Sequence, residues 1–381
     1  MIYLDNSATT RVLPEAAQAA FAAMTDAFYN PAAAYAPAAA VQRAVEGCRK
    51  RLSEALGCRA EETYYTSGGT ESNNMAIFGA LAPVRGKRRI ITCMTEHPSV
   101  YNVFRALEGK PDTEVVYIGT DEDGAASLDE LAQALTPDTA LVSLMHVNNE
   151  VGAVTDIRAA CTAIRRVAPE AVFHVDGVQA FCKLPFMSVP CDCYSLSAHK
   201  FHAPKGVGAL YVRGGLRFGG GLIGGGQENG MRSGTTNAPG ILGMDAALSA
   251  YRAHHDAWLR QMRACKERLA ENLLVIPDAV VNGPSVARGA GHILNVSFPG
   301  VRGETLLNAL SEREIYVSTG SACSAHKRGK NRVLNAIGVT GARQDGAIRF
   351  SFCPANTVGE MDEVATATAE LVTFLRKYKR R

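Results

Sequence analysis

What most constrains the fold of this chain is an alternation. Six short β-rich runs, at 89–93, 114–118, 140–146, 171–176, 193–197 and 208–212, are separated by stretches of helical spacing at 71–81, 99–107, 128–135 and 157–167. Most of the runs are continuously apolar, which predicts strands covered on both faces. Asp129 and Glu130 fall in the first turn of the third helical stretch, where negative charge complements the helix dipole. Strands and helices in this order predict an α/β fold with a mostly parallel sheet, and ligands then gather beyond the carboxyl ends of its strands.

After residue 212 the character changes. The segment 218–234 holds eight glycines, and Gly219, Gly221 and Gly224 satisfy the spacing GxGxxG. A dinucleotide loop is rejected, because no helical pattern opens after Gly224 and no strand–turn–helix unit surrounds it. A flexible linker is one reading. The run Met231-Arg232-Ser233-Gly234-Thr235-Thr236 favours the other, a loop that approaches a ligand or another backbone closely. A long helical stretch then extends from 237 to about 275. Strand patterns at 292–298 and 348–353 follow, with helical ones at 304–311 and 359–376, and predict a second, α+β domain.

With 381 residues the chain is long enough for two domains. A net charge of +3 is too small to make nucleic acid or an anionic membrane the main partner. The opening Met1-Ile2-Tyr3-Leu4-Asp5-Asn6 lacks the basic and apolar regions of a signal peptide, and no apolar stretch approaches the roughly 20 residues of a membrane span. A cytoplasmic protein is expected. The ten cysteines are scattered without a CxxC pair, which argues against both a disulfide framework and a metal site.

The chemistry-bearing residues cluster just past the strand patterns. Ser195-Leu196-Ser197-Ala198-His199-Lys200 places a lysine beyond an apolar run, where an amine is partly desolvated, with a lowered pKa suited to a Schiff base. The plain alternative is a surface lysine. Thr66-Ser67-Gly68-Gly69-Thr70-Glu71 is a glycine turn opening a helix, and its free N–H groups can cradle a phosphate. Asp176 ends another apolar run, where a carboxylate is costly unless a cation or strong donors meet it. His97 and Asn149 lie beyond two further runs, and Gln179 follows Asp176. Each alone reads as an ordinary loop residue. Together, a lysine, an acid, a histidine, an asparagine and a glycine turn are the parts a pyridoxal phosphate site needs.

Ten motifs in order resemble the cysteine desulfurases of the NifS/IscS type, class V members of the fold-type I pyridoxal-phosphate enzymes. They are YLDNSATT, TSGGTESNN, TEHPSV, HVNNEVG, HVDGVQ, SLSAHKFHAPKGVGALYV, GGGQENGMRSGTTN, NVSF, STGSACS and IRFSF, and they span residues 3–352. The resemblance implies a large domain over 14–252 that binds pyridoxal 5'-phosphate. It also implies a small α+β domain from 1–13 and 253–381. Lys200 would form the Schiff base with the cofactor, Asp176 would keep its ring nitrogen protonated, and His97 would stack on the ring and move protons. Gln179 and Asn149 would lie beside the ring near its phenolic oxygen, with Asn149 also at the substrate. Gly69, Thr70, Ser197 and His199 would bind the phosphate, and Thr235 would reach the phosphate of the neighbouring subunit in a homodimer. Arg349 would pair with the substrate carboxylate.

Cys323 decides among reactions on this scaffold. Its neighbours Ser321, Ala322 and Ser324 are small, and the basic His326, Lys327, Arg328 and Lys330 favour its thiolate. The resemblance implies that it takes the sulfur of L-cysteine as a persulfide, leaving L-alanine. The sulfur would pass to an acceptor protein serving iron–sulfur assembly or tRNA thiolation. The rival readings are a selenocysteine lyase, a cystine C–S lyase or an aminotransferase on the same scaffold, and more remotely a non-catalytic sulfur-relay scaffold. Ala32, Ala33, Tyr35 and Asn229 depart from the commoner family pattern and leave the acceptor open.

Overall fold

The computed structural model describes residues 1–320 and 331–377. A two-residue strand, β1 (Ile2–Tyr3), opens the chain. The next seven strands form the main sheet: β2 (Thr63–Thr66), β3 (Arg88–Cys93), β4 (Thr113–Ile118), β5 (Thr139–Met145), β6 (Val172–Asp176), β7 (Cys193–Ser197) and β8 (Gly208–Val212). Their order is β2-β8-β7-β6-β5-β3-β4. From β7 to β4 every neighbouring pair is parallel, and β8 alone runs against its neighbours.

Continuous apolar runs formed these strands because both faces are covered. Neighbouring residues go to opposite cores: Ile91, Val142, Phe173 and Tyr194 pack with the helices Ala36–Leu56 and Ile157–Val167. Ile90, Leu141, Val172 and Cys193 pack with the helices Gly69–Leu81 and Pro98–Leu107 on the other face. The edge strand β4 is only partly covered, and there Thr113 and Glu114 supply polar side chains. β2 was not expected from the sequence, because its Thr-Tyr-Tyr-Thr is too short and too mixed to stand out.

The second layer of structure is built on β9 (Val280–Val281), β10 (Ile293–Ser297), β11 (Ile315–Tyr316) and β12 (Ala347–Ser351). An antiparallel sheet of order β12-β10-β9 stands beside the parallel pair β1–β11. The helix Ala238–Leu273 joins the two cores. Its first half buries Ile241, Met244 and Tyr251 against the main sheet, and its second half buries Met262, Leu269 and Leu273 in the smaller core. At 1.5 Å per residue such a helix is about 54 Å long, enough to bridge both.

The N-terminal segment begins in the small core with Ile2 and Leu4 and then crosses to the main sheet. Ser7 N–H donates to Ser351 Oγ at 2.8 Å, and Thr10 N–H donates to the carbonyl oxygen of His199 at 3.0 Å. This crossing lays residues 7–10 over the carboxyl end of β7.

Candidate active site

Because the strands of the main sheet, β8 apart, run one way, the chain leaves β2, β3, β5, β6 and β7 at the same edge. Their exits meet in a cavity of about 340 Å³. Gly69 and Thr70 reach it from β2, His97 from β3, Asn149 from β5, Asp176 and Gln179 from β6, and Ser197, His199 and Lys200 from β7. Arg349 reaches it from β12 of the small sheet. Thr235 is exposed and outside this cavity. Cys323 lies outside the described residues, but Gly320, three residues earlier, is on the cavity wall.

At one end sits an anion cradle. Gly68 precedes the helix Gly69–Leu81 with φ of +145° and no side-chain cap, so first-turn N–H groups are left for a ligand. A Cβ at Gly69 would fall 2.6 Å from Val178 Cγ2, so only glycine fits the close approach of this turn to the β6 exit. Glu71, which would repel an anion in that first turn, is tied to Arg232 at 2.8 Å and accepts from Ser67 N–H.

Asp176 is buried, and its oxygens accept from Asn73 Nδ2 at 2.7 Å and from Val178 N–H at 3.0 Å. No ion pair is formed by Asp176 among the described residues. Asn73 Nδ2 also donates to Ser99 Oγ at 2.8 Å, and Ser99 Oγ lies 2.7 Å from His97 Nδ1. His97 caps the helix Pro98–Leu107, with Nδ1 accepting Ser99 N–H at 3.1 Å. The neutral ring therefore carries its proton on Nε2. Burial pushes its pKa below the usual imidazole value, with Asp176 pulling the other way. His97 is thus a neutral ring at neutral pH.

Lys200 Nζ donates to the carbonyl oxygens of Ser7 and Ala8, both at 2.7 Å. Burial and then Arg349 bring its pKa down to about 8, against the opposing pull of Asp5 and Asp176. Beside it Gln179 Nε2 donates to the same Ser7 oxygen at 2.8 Å. The guanidinium of Arg349 spans Asn149 O at 2.9 Å and the Asp5 carboxylate at 2.6 Å, and its buried Nε has no partner among the described residues.

Several lining residues were not singled out from sequence. Ser7 and Ala8 act through backbone carbonyls, which no residue type announces. Asn73 lies in the motif after Gly69 but gave no hint of its bond to Asp176. Glu150 is buried, its carboxyl held above the ordinary range by that burial, and it accepts from Asn331 Nδ2 at 2.6 Å. A Cβ at Gly320 would lie 2.8 Å from the same carboxylate.

A cavity with a lowered-pKa lysine, a buried acid without a cation among the described residues and an anion cradle suits pyridoxal 5'-phosphate. The donor set fits the group: Asp176 would meet the ring nitrogen, the cradle would meet the phosphate, and the buried Ser7 Oγ and Asn73 Oδ1 have no partners among the described residues. The family profile "Aminotransferase class-V" matches residues 2–364. A cysteine desulfurase of Trichormus azollae is 40% identical over 379 residues, covering 99% of this chain and 94% of the relative. The chain belongs to the cysteine desulfurase branch of the class-V aminotransferases. The class-V fold extends over nearly its whole length. The cysteine desulfurase IscS of Methanosarcina thermophila is 40% identical over 98% of this chain and 93% of its own. A solved NifS-like protein superposes with a TM-score of 0.91 at 34% identity, covering 98% of this chain and 99% of that one. A second solved structure, of SspA in complex with cysteine, superposes with a TM-score of 0.80 at 31% identity, over 93% and 99% of the two chains.

Proposed function

We propose that this class-V protein binds pyridoxal 5'-phosphate at Lys200, removes the sulfur of L-cysteine as a persulfide on Cys323, and releases L-alanine. The observation that carries the reading is the meeting of Lys200, Asp176 and the Gly69 cradle in one cavity whose wall includes Gly320, three residues before Cys323. Three residues of chain span at most roughly 11 Å.

When bound, the cofactor would supply an electron sink for the substrate's α-carbon. Lys200 Nζ is the covalent anchor, and with a pKa near 8 a useful fraction of it is the neutral, nucleophilic amine at neutral pH. As a free amine it rests on the carbonyl oxygens of Ser7 and Ala8 at the cavity wall, where it could take and give a proton. Asp176 would hold the proton on the ring nitrogen. His97 would cover the ring and offer its Nε2–H, while Gly69, Thr70, Ser197 and His199 would hold the phosphate. Asn149 and Gln179 would flank the ring, and Arg349 would take the substrate carboxylate, sharing its guanidinium with Asp5. The Cys323 thiolate attacks the substrate sulfur. An S–S bond forms as the C–S bond breaks, and the departing electron pair stays with the carbon that is then protonated to alanine.

The same reading extends to partners. Thr235, exposed and away from its own cavity, would serve the phosphate of a second subunit in a homodimer. A thiol-bearing acceptor protein, as in iron–sulfur assembly or tRNA thiolation, would take the sulfur in the cytoplasm. The test is to mix the purified protein with pyridoxal phosphate, L-cysteine and a reductant. Wild type should show the visible absorbance of lysine-bound cofactor and form alanine and sulfide in equal amounts, and Lys200→Ala should lose all three. Equal turnover by Lys200→Ala would refute the assignment.

A further inference from the structure

Lys183 lies one turn beyond Gln179 and is buried. Its Nζ donates to Gln179 Oε1 at 3.2 Å, the one hydrogen bond that amine makes among the described residues. The charged groups around it offer no carboxylate. Lys200 and Arg349 are cations, Cys182 and Cys353 are thiols, and His292, His199 and His202 feel Lys183 as a cation. Burial is the main cause that brings the Lys183 amine down to about 7, followed by Lys200. A buried, unpaired amine is expensive, and an apolar side chain of similar length would normally cost less there. A reason other than stability is needed for it.

Gln179 supplies that reason. Its Nε2 donates to Ser7 O at 2.8 Å, its Oε1 accepts from Lys183, and the residue lines the cavity. The Ser7 carbonyl oxygen only accepts, so it must face Nε2, and Oε1 is left for the Lys183 amine, which donates in either protonation state. The second hydrogen of Nε2 is left for the cavity. Donation from Lys183 also polarises the amide and makes that N–H a stronger donor. We propose that Lys183 is a positioning residue that acts through Gln179 to present a fixed N–H donor to an anionic oxygen of the molecule bound in the cavity. This rests on the cofactor reading above, under which that oxygen is the phenolic oxygen of the ring.

The test uses Lys183→Met, Lys183→Gln, Gln179→Leu and the double variant Lys183→Met/Gln179→Leu, each loaded with pyridoxal phosphate. Three quantities are measured: the pH midpoint of the visible absorbance, the cofactor dissociation constant, and the thermal midpoint of the cofactor-free protein. Losing a donor to the anionic oxygen makes the linked proton harder to release. Lys183→Met should therefore move the spectral midpoint up by about 0.5–1 pH unit and weaken cofactor binding about 2–10-fold, the worth of one net hydrogen bond. Its thermal midpoint should match or exceed that of wild type, and Lys183→Gln, which keeps a donor, should recover part of the shift. In the Gln179→Leu background Lys183→Met should add nothing, because the coupling runs through that amide. An unshifted midpoint in both Lys183 variants, or a full shift that persists without Gln179, overturns the proposal. Failure of wild type to develop the absorbance would instead overturn the cofactor reading.

Discussion

Lys200 Nζ is held by two carbonyl oxygens that favour its charged form and by a burial that disfavours it, and burial wins. A descent from 10.5 to about 8 corresponds to roughly 3 kcal/mol between the two protonation states. The neutral amine is the reactive form. The rate at which cofactor-free protein captures pyridoxal phosphate should thus rise with pH through about 8 and level off above it; stopped-flow absorbance would show this, and a midpoint near 10.5 would contradict it. Arg349 gives a second prediction. Its guanidinium already spans Asp5 and Asn149 O, so a substrate carboxylate must join a planar, multi-donor arrangement. Arg349→Lys keeps the charge and loses the fork, so KM for L-cysteine should rise about tenfold or more with the visible absorbance retained. At this scale the side chains past each strand end were legible as chemistry, because a lysine, an acid and a glycine turn mean something there. The carbonyls of Ser7 and Ala8 were not, and neither was the Asn73–Ser99–His97 chain, since hydrogen-bond partners far apart in sequence leave no local pattern.

Among the elements, the antiparallel β8 is what lets the β2 turn approach β7. A Cβ at Gly208 would fall 2.6 Å from Leu196 O and 2.7 Å from Gly68 Cα, backbone atoms that cannot swing away. Gly208→Ala should destabilise the protein by about 1–3 kcal/mol and weaken cofactor binding through the displaced Gly68–Gly69 cradle. Chemical denaturation and absorbance titration would check both effects; an unchanged cofactor affinity would show that the cradle tolerates the shift. A second staple lies at the opposite end of the same strands. Asp192 is buried and meets Arg165, Arg213 at 2.6 Å and Phe173 N–H at 2.7 Å, joining the helix Ile157–Val167 to β6 and β8. Both arginines keep some access to water, so Asp192→Ala should cost about 1–3 kcal/mol, less than a fully buried pair would. Denaturant titration with cofactor absent measures it. The parallel core was legible because runs buried on both faces are continuously apolar. The reversal of β8 was not, since strand direction leaves no mark on composition.

For the whole molecule, the cavity exists because two cores are tied across one helix and one crossing segment. Arg349 from the small sheet meets Asp5 of the N-terminal crossing and Asn149 beyond β5, so this end of the cavity is shared between both parts of the chain. The glycine-rich segment stays outside this union. Its Glu228, in a left-handed conformation with φ of +51°, is held by a two-pronged pair with Arg49 at 2.8 Å, and Thr235 beyond it faces outward. Chain order led to the expectation of a second domain but could not show which residues the two parts would share, because that depends on how the N-terminus crosses. The central claim is that sulfur leaves L-cysteine onto Cys323. It is tested most directly by intact-protein and peptide mass spectrometry after brief exposure of the cofactor-loaded protein to L-cysteine without reductant. The peptide containing Cys323 should gain one sulfur atom, removable by a thiol reductant and absent in Cys323→Ala, which still binds the cofactor. A sulfur carried by another cysteine, or alanine formed at the wild-type rate by Cys323→Ala, would contradict it.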